Sequence, residues 1–261
     1  MTIILLYATF IFLFGLIIGS FLNVVIYRLE KEENLNGRSY CPHCKHTLGW
    51  LDLVPVFSFL FLGGQCRYCK AKISWQYPLV EIATGIVFLL IFSYQPAITF
   101  QQIITLCFMF YVSCSMIVIF VYDLKYYLIP DKVLFPAIAT AFLYRIIFNF
   151  NDFILSYLLA VLIAAGFFLA IYLISKGAWM GFGDVKLAIL MGLVLGFPNI
   201  LAALFLAFFF GAIIGIGAIF LQKKGLKSEI PFGPFLIVGT FMAMFFGGQI
   251  INWYLQFLIA Y

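Results

Sequence analysis

The chain has 261 residues, of which 66% are hydrophobic and only 10% charged, with a mean hydropathy of +1.14 and a formal net charge of +5. A soluble domain of this size needs far more polar residues to cover its surface, so the composition leaves a polytopic membrane protein as the class. The positive charge makes no case for nucleic-acid binding, because every one of the 15 Lys and Arg except Arg145 falls in alternate loops between apolar segments, which is a signature of topology.

A hydrocarbon core takes about 20 apolar residues per spanning helix. By that measure there are eight candidate segments, at about 3–26, 77–94, 102–122, 133–150, 153–174, 187–197, 199–221 and 234–258. The expected fold is all-α, with about eight transmembrane helices. The first segment has no basic residue ahead of it and so lacks the charged head of a secretory signal; it reads as an uncleaved anchor. The sixth is too short to span unless the residues before Lys186 also enter the membrane. Eight crossings leave both termini outside and four loops inside, and those four carry the positive charge. They hold Arg28, Lys31, Arg38, Lys45, Arg67, Lys70 and Lys72; then Lys125 and Lys132; then Lys176 and Lys186; then Lys223, Lys224 and Lys227. The positive-inside rule puts these loops in the cytoplasm. No low-complexity tract or convincing internal repeat is visible.

Between the first helix, 1–27, and the multi-helix region, 77–261, lies an insert too long and polar for a turn. Residues 28–76 are expected to form a small cytoplasmic module. It contains "CPHC" and "CRYC", that is Cys41, Cys44, Cys66 and Cys69, with 21 residues between the two pairs. This gap is slightly longer than usual for a paired-knuckle zinc site. Two disulfides are at odds with a reducing cytoplasm, and a redox C-x-x-C centre does not need two knuckles. Four thiolates suit one tetrahedral zinc, in a closed site that organises the fold and has no open position for substrate. His43 and His46 are then bystanders. Cys107 and Cys114 stand in an apolar segment, where cysteine is ordinarily a small buried residue.

Farther along, "YDLKYYLIPD" and "GFGDVK" place acidic residues at membrane edges. Asp123 ends the third segment and Asp184 begins the sixth, both on the cytoplasmic side by this topology. Ionisable groups at membrane depth are costly and mark functional sites by default. Gly181 and Gly183 allow a bend and a close approach beside Asp184. Two carboxyls a few ångströms apart share a proton, so one can activate water while the other protonates a leaving group. Two other readings compete. Asp131 rivals Asp123, although its place after Pro130 is explained without chemistry by capping a helix start. The pair could also merely compensate charge, Asp123 with Lys125 and Asp184 with Lys186.

In order and spacing, "GSFLNVVIYR", the four cysteines, "YPLVE", "DLKYYLIPD", "GFGDVK" and "PFGPFL" resemble the bacterial type IV prepilin peptidases, also called leader peptidases/N-methyltransferases. The resemblance covers nearly the whole chain. It implies an aspartyl protease in the bacterial inner membrane, multi-pass, with its active site facing the cytoplasm. Such an enzyme removes the basic leader of type IV pilins and of pilin-like secretion or competence proteins, cutting after a glycine. It then commonly methylates the new N-terminal residue from S-adenosylmethionine. The family's catalytic aspartates correspond to Asp123 and Asp184. Its cysteine tetrad corresponds to Cys41, Cys44, Cys66 and Cys69, in the region linked to methylation.

Among the remaining matched residues, Glu81 bonds to the cysteine module, takes part in methyl transfer or simply packs, and Asn23 is expected to hydrogen-bond a neighbouring helix. Lys186 either tunes Asp184 or marks the interface. "PFGPFL" shapes a turn and offers no chemical group. The chain has no G-x-G-x-x-G fingerprint, so a methyl-donor site is not of the dinucleotide-fold kind. The competing functions are a peptidase without methylation, a proton- or ion-coupled transporter that uses the aspartates as a relay, and a non-catalytic zinc-knuckle scaffold.

Overall fold

A computed structural model describes residues 2–94, 99–220 and 231–259. Among these the regular secondary structure is helical, apart from two isolated β-bridges. The helices are α1 (Thr2–Glu30), α2 (Phe57–Phe61), α3 (Gln76–Tyr94), α4 (Phe100–Tyr126), α5 (Asp131–Phe148), the single turn α6 (Phe150–Asp152), α7 (Leu159–Ser175), α8 (Phe182–Leu195), α9 (Asn199–Phe220) and α10 (Gly233–Ile259). A π-helical turn, Phe153–Leu158, leads into α7.

Each of the eight apolar segments contains a helix; the largest departures are the fifth, whose α-helix starts at Leu159 after the π-helical turn, and the sixth, which starts at Phe182 and ends at Leu195. Among the described residues six stretches are long and apolar enough to cross a membrane: α1, α3, α4, α9, α10 and the run Phe150–Ser175 that contains α7. The other two fall short for different reasons. α5 carries Asp131, Lys132 and Arg145 within 18 residues, and α8 has only 14 residues. The basic loop with Lys223, Lys224 and Lys227 lies outside the described residues.

The chain divides into two compact units, Met1–Val118 and Ile119–Tyr261, with the boundary inside α4. In the first unit α1 and α3 touch backbone to backbone. A Cβ on Gly15 would lie 2.7 Å from the Gly85 Cα, and one on Gly19 only 2.6 Å from the Glu81 Cα. This is the G-x-x-x-G mode of association, in which small residues let helices approach where no hydrophobic force drives them together. Asn23 closes the contact, donating to the Tyr77 carbonyl at 3.1 Å and accepting from Gln76 at 3.2 Å. The buried Arg28 guanidinium at the end of α1 donates to the carbonyls of Asn34, Asn36 and Arg38, so it ties down the loop that opens the insert.

In the second unit the short helix α8 is buried along most of its length. Its last carbonyls have no intrahelical partner and need one inside a protein. Arg145 supplies it, donating to Leu193 at 2.9 Å and Val194 at 2.7 Å while its guanidinium lies over the Tyr157 ring at 4.1 Å. The one basic residue that the charge pattern leaves on the opposite side is therefore a buried helix cap.

Candidate functional site

The second unit brings two acidic side chains together. Asp123 sits in the last turn of α4 and is 5% exposed; Asp184 sits in the first turn of α8 and is 8% exposed. They lie within Coulombic range of each other. Each faces a helix N-terminus, where unpaired N–H groups and the helix dipole favour negative charge, although Asp123 itself stands at the C-terminal end of α4. For Asp184 that helix is its own, opened by Gly181 at the cap position. For Asp123 it is α10, whose first residue, Gly233, donates its N–H to the carboxylate.

Local sequence explains this geometry. Gly183 faces Ile129, and a Cβ there would be 3.2 Å from that side chain. Gly233 is tighter still: a Cβ there would run into the Asp123 Oδ2. Here the structure corrects the reading of "PFGPFL" as a turn without a chemical group. The group is a backbone N–H, which no side-chain motif announces; the glycine between two prolines was the available signal.

Charge compensation does not describe the pair, since neither aspartate belongs to an ion pair among the described residues. Lys186 bonds to Asp131 and not to Asp184. Asp131, whose side chain is 53% exposed, is also not a side-chain cap: Pro130 holds the cap position of α5, and no capping side-chain bond forms. Asp131 contributes an acidic group to the first turn and a partner for Lys186.

In the first unit the four cysteines converge. The Sγ atoms of Cys41, Cys44, Cys66 and Cys69 all lie within 4.8 Å of one another, with Cys41 and Cys69 3.9 Å apart. A tetrahedron with metal–sulfur bonds of about 2.3 Å has sulfur–sulfur edges of about 3.8 Å, so the cluster fits one zinc ion. The two knuckles share a local design that a search for longer repeats misses. In each, the residue after the second cysteine, Lys45 or Lys70, has φ of 59°, and its N–H returns to the first cysteine's carbonyl. The Cys69 N–H is aimed at the Cys66 sulfur and holds that thiol below its usual range, an arrangement that favours a thiolate ligand.

His43 and His46 stay outside the sulfur cluster, as expected of residues that are not ligands, and the His46 ring packs with its centroid 3.7 Å from that of Tyr68 on the other knuckle. Asp52 braces the same region. Burial works against its charge, yet the Arg67 guanidinium at 2.6 Å and the Gly49 N–H at 3.0 Å keep its carboxyl below the usual carboxylate range. Glu81 is buried on α3, where it accepts the Val56 N–H at 2.7 Å and so links α3 to the insert. Cys107 is exposed and Cys114 half-buried, both away from the cluster.

Comparison with known proteins places these sites in matched regions. Residues 13–95, which contain the cysteine cluster and Glu81, match the bacterial peptidase A24 N-terminal domain. Residues 110–216, which contain Asp123 and Asp184, match the type IV leader peptidase family. A prepilin leader peptidase/N-methyltransferase of Aeromonas hydrophila is 32% identical over 96% of this chain and 94% of its own length. One of Bacillus subtilis (strain 168) is 32% identical over 96% and 98%, and one of Legionella pneumophila 31% identical over 94% and 93%. No solved structure matches.

Proposed function

The chain belongs to the type IV leader peptidase family, and from that premise we propose that it cleaves the basic leader of prepilins and pilin-like precursors and N-methylates the residue exposed by the cut. The observation that carries this reading is the pair Asp123 and Asp184, buried, mutually within Coulombic range and free of ion pairs among the described residues. Paired carboxyls of this kind perform aspartyl proteolysis. One takes a proton from water as the oxygen attacks the scissile carbonyl carbon. The other gives its proton to the departing amide nitrogen, so one water is consumed for one peptide bond broken. The Gly233 N–H would hold the Asp123 carboxylate in place through this exchange.

A prepilin suits such a site. Its apolar helix lies in the bilayer and its basic leader in the cytoplasm, so the bond to be cut stands at the membrane edge. The charge pattern supports a multi-pass inner-membrane protein with its active site facing the cytoplasm and both termini outside. The substrates would be pilins or related proteins of secretion or competence systems.

The region 28–76 would be the methylation-linked module between helix 1–27 and the peptidase region 77–261. Cys41, Cys44, Cys66 and Cys69 would hold a structural zinc that fixes the two knuckles. S-adenosylmethionine would supply the methyl group. Among the described residues there is no parallel sheet to form a dinucleotide-type crevice, so no residue is assigned to it. An intact tetrad favours methylation over a peptidase acting alone. A proton- or ion-coupled transporter gives the cluster no role and has no support from the named relatives.

The test is cleavage of a prepilin peptide in detergent by wild type, Asp123→Asn and Asp184→Asn. The variants should fold normally and lose at least about 10²-fold to 10⁴-fold in rate, the usual worth of an acid or base. Cleavage at the wild-type rate by either variant would refute the pair.

A further inference from the structure

Within the polar insert, residues 53–62 read LVPVFSFLFL. An apolar run of this length cannot span a bilayer but suits an interfacial or re-entrant segment. Its centre is α2. Phe59 turns inward against Trp75, with ring centroids 4.9 Å apart, while Phe57, Leu60 and Phe61 point outward and Phe61 is 87% exposed.

The depth of α2 follows from α3. That helix has 19 residues, so at about 1.5 Å per residue it is about 28 Å long, barely the thickness of a hydrocarbon core of about 30 Å. All of α3 is needed to cross. Gln76 therefore stands at the membrane edge and Glu81 about 7.5 Å inside it. Because the Glu81 side chain leans back toward the Gln76 end and its carboxylate accepts the Val56 N–H, α2 starts between the membrane edge and that depth. Trp75, exposed and directly before α3, occupies the level where interfacial tryptophans anchor. Gly63 and Gly64, both at positive φ, then turn the chain away from α2 toward Cys66 and the exposed Lys70 and Lys72.

We propose that α2 is an interfacial membrane anchor whose Phe57, Leu60 and Phe61 enter the acyl region of the leaflet at the Gln76 end of α3, holding the cysteine module against the bilayer. The partner is lipid. The insert is then not wholly a cytoplasmic body: its middle dips into the membrane, and the second knuckle emerges from it at headgroup level. The inference rests on α3 spanning the bilayer and is independent of leader cleavage.

The test places a photoreactive side chain in the full-length protein, reconstituted in vesicles of phosphatidylethanolamine and phosphatidylglycerol. Phe61→p-benzoylphenylalanine and Phe57→p-benzoylphenylalanine should each form lipid adducts on irradiation. Adduct yield should exceed that of His43→p-benzoylphenylalanine, on the exposed first knuckle, by about tenfold or more, as expected for acyl-depth against aqueous placement. Lipid adducts absent at both sites, or adducts there mainly to a second copy of the chain, would overturn the proposal.

Discussion

Gly233 is the glycine whose identity the geometry ties most directly to the carboxyl pair. Any side chain there meets the Asp123 Oδ2, and its N–H also bonds that carboxylate. Gly233→Ala should lower kcat about 100-fold with little change in KM, since displacing a reacting group by about 1 Å costs on that order while substrate contacts persist. An unchanged kcat would remove Gly233 from the site. Asp131 offers the opposite case. Its pair with Lys186 is half exposed, and such pairs contribute about 0–1 kcal/mol. Asp131→Asn should therefore cleave at close to the wild-type rate, and a dead variant would bring Asp131 back as the partner of Asp184.

At the scale of elements, α8 shows how a helix too short to span can still present a carboxyl at its start. Burial along its length requires both ends to be satisfied, and Arg145 does this at the C-terminal end with two carbonyls. Hydrogen bonds to a charged group are worth about 1.5–3 kcal/mol each, so Arg145→Met should lower the thermal midpoint in detergent clearly. Arg145→Lys should not rescue it, because an ammonium lacks the planar fork that reaches two carbonyls at once. Full rescue by lysine would reduce Arg145 to a simple charge.

On the scale of the whole molecule, the two compact units carry different chemistry, sulfur in one and the carboxyl pair in the other. Purified protein should contain about one zinc per chain, as a four-thiolate site requires. Cys66→Ser should lose the metal and N-methylation while leader cleavage continues. Parallel loss of both activities would make the cysteine cluster part of the peptidase. Accessibility labelling of cells should find residue 40 inside and residue 151 outside, and the reverse would overturn the charge-based topology.

Hydropathy read along the chain was enough to locate eight of the ten described helices, all but the short α2 and α6, because a bilayer demands long apolar runs whatever their packing. The four cysteines were equally legible, since C-x2-C spacing builds its turn locally. The two aspartates stood out because charge in an apolar context needs a reason. What the tertiary structure alone decided depends on partners distant in the chain. Gly233 reaches Asp123, Lys186 chooses Asp131 over its neighbour Asp184, Arg145 caps α8, and Glu81 holds Val56. Each involves a backbone group or a long side chain whose partner is set by how helices pack, and sequence spacing carries no record of that.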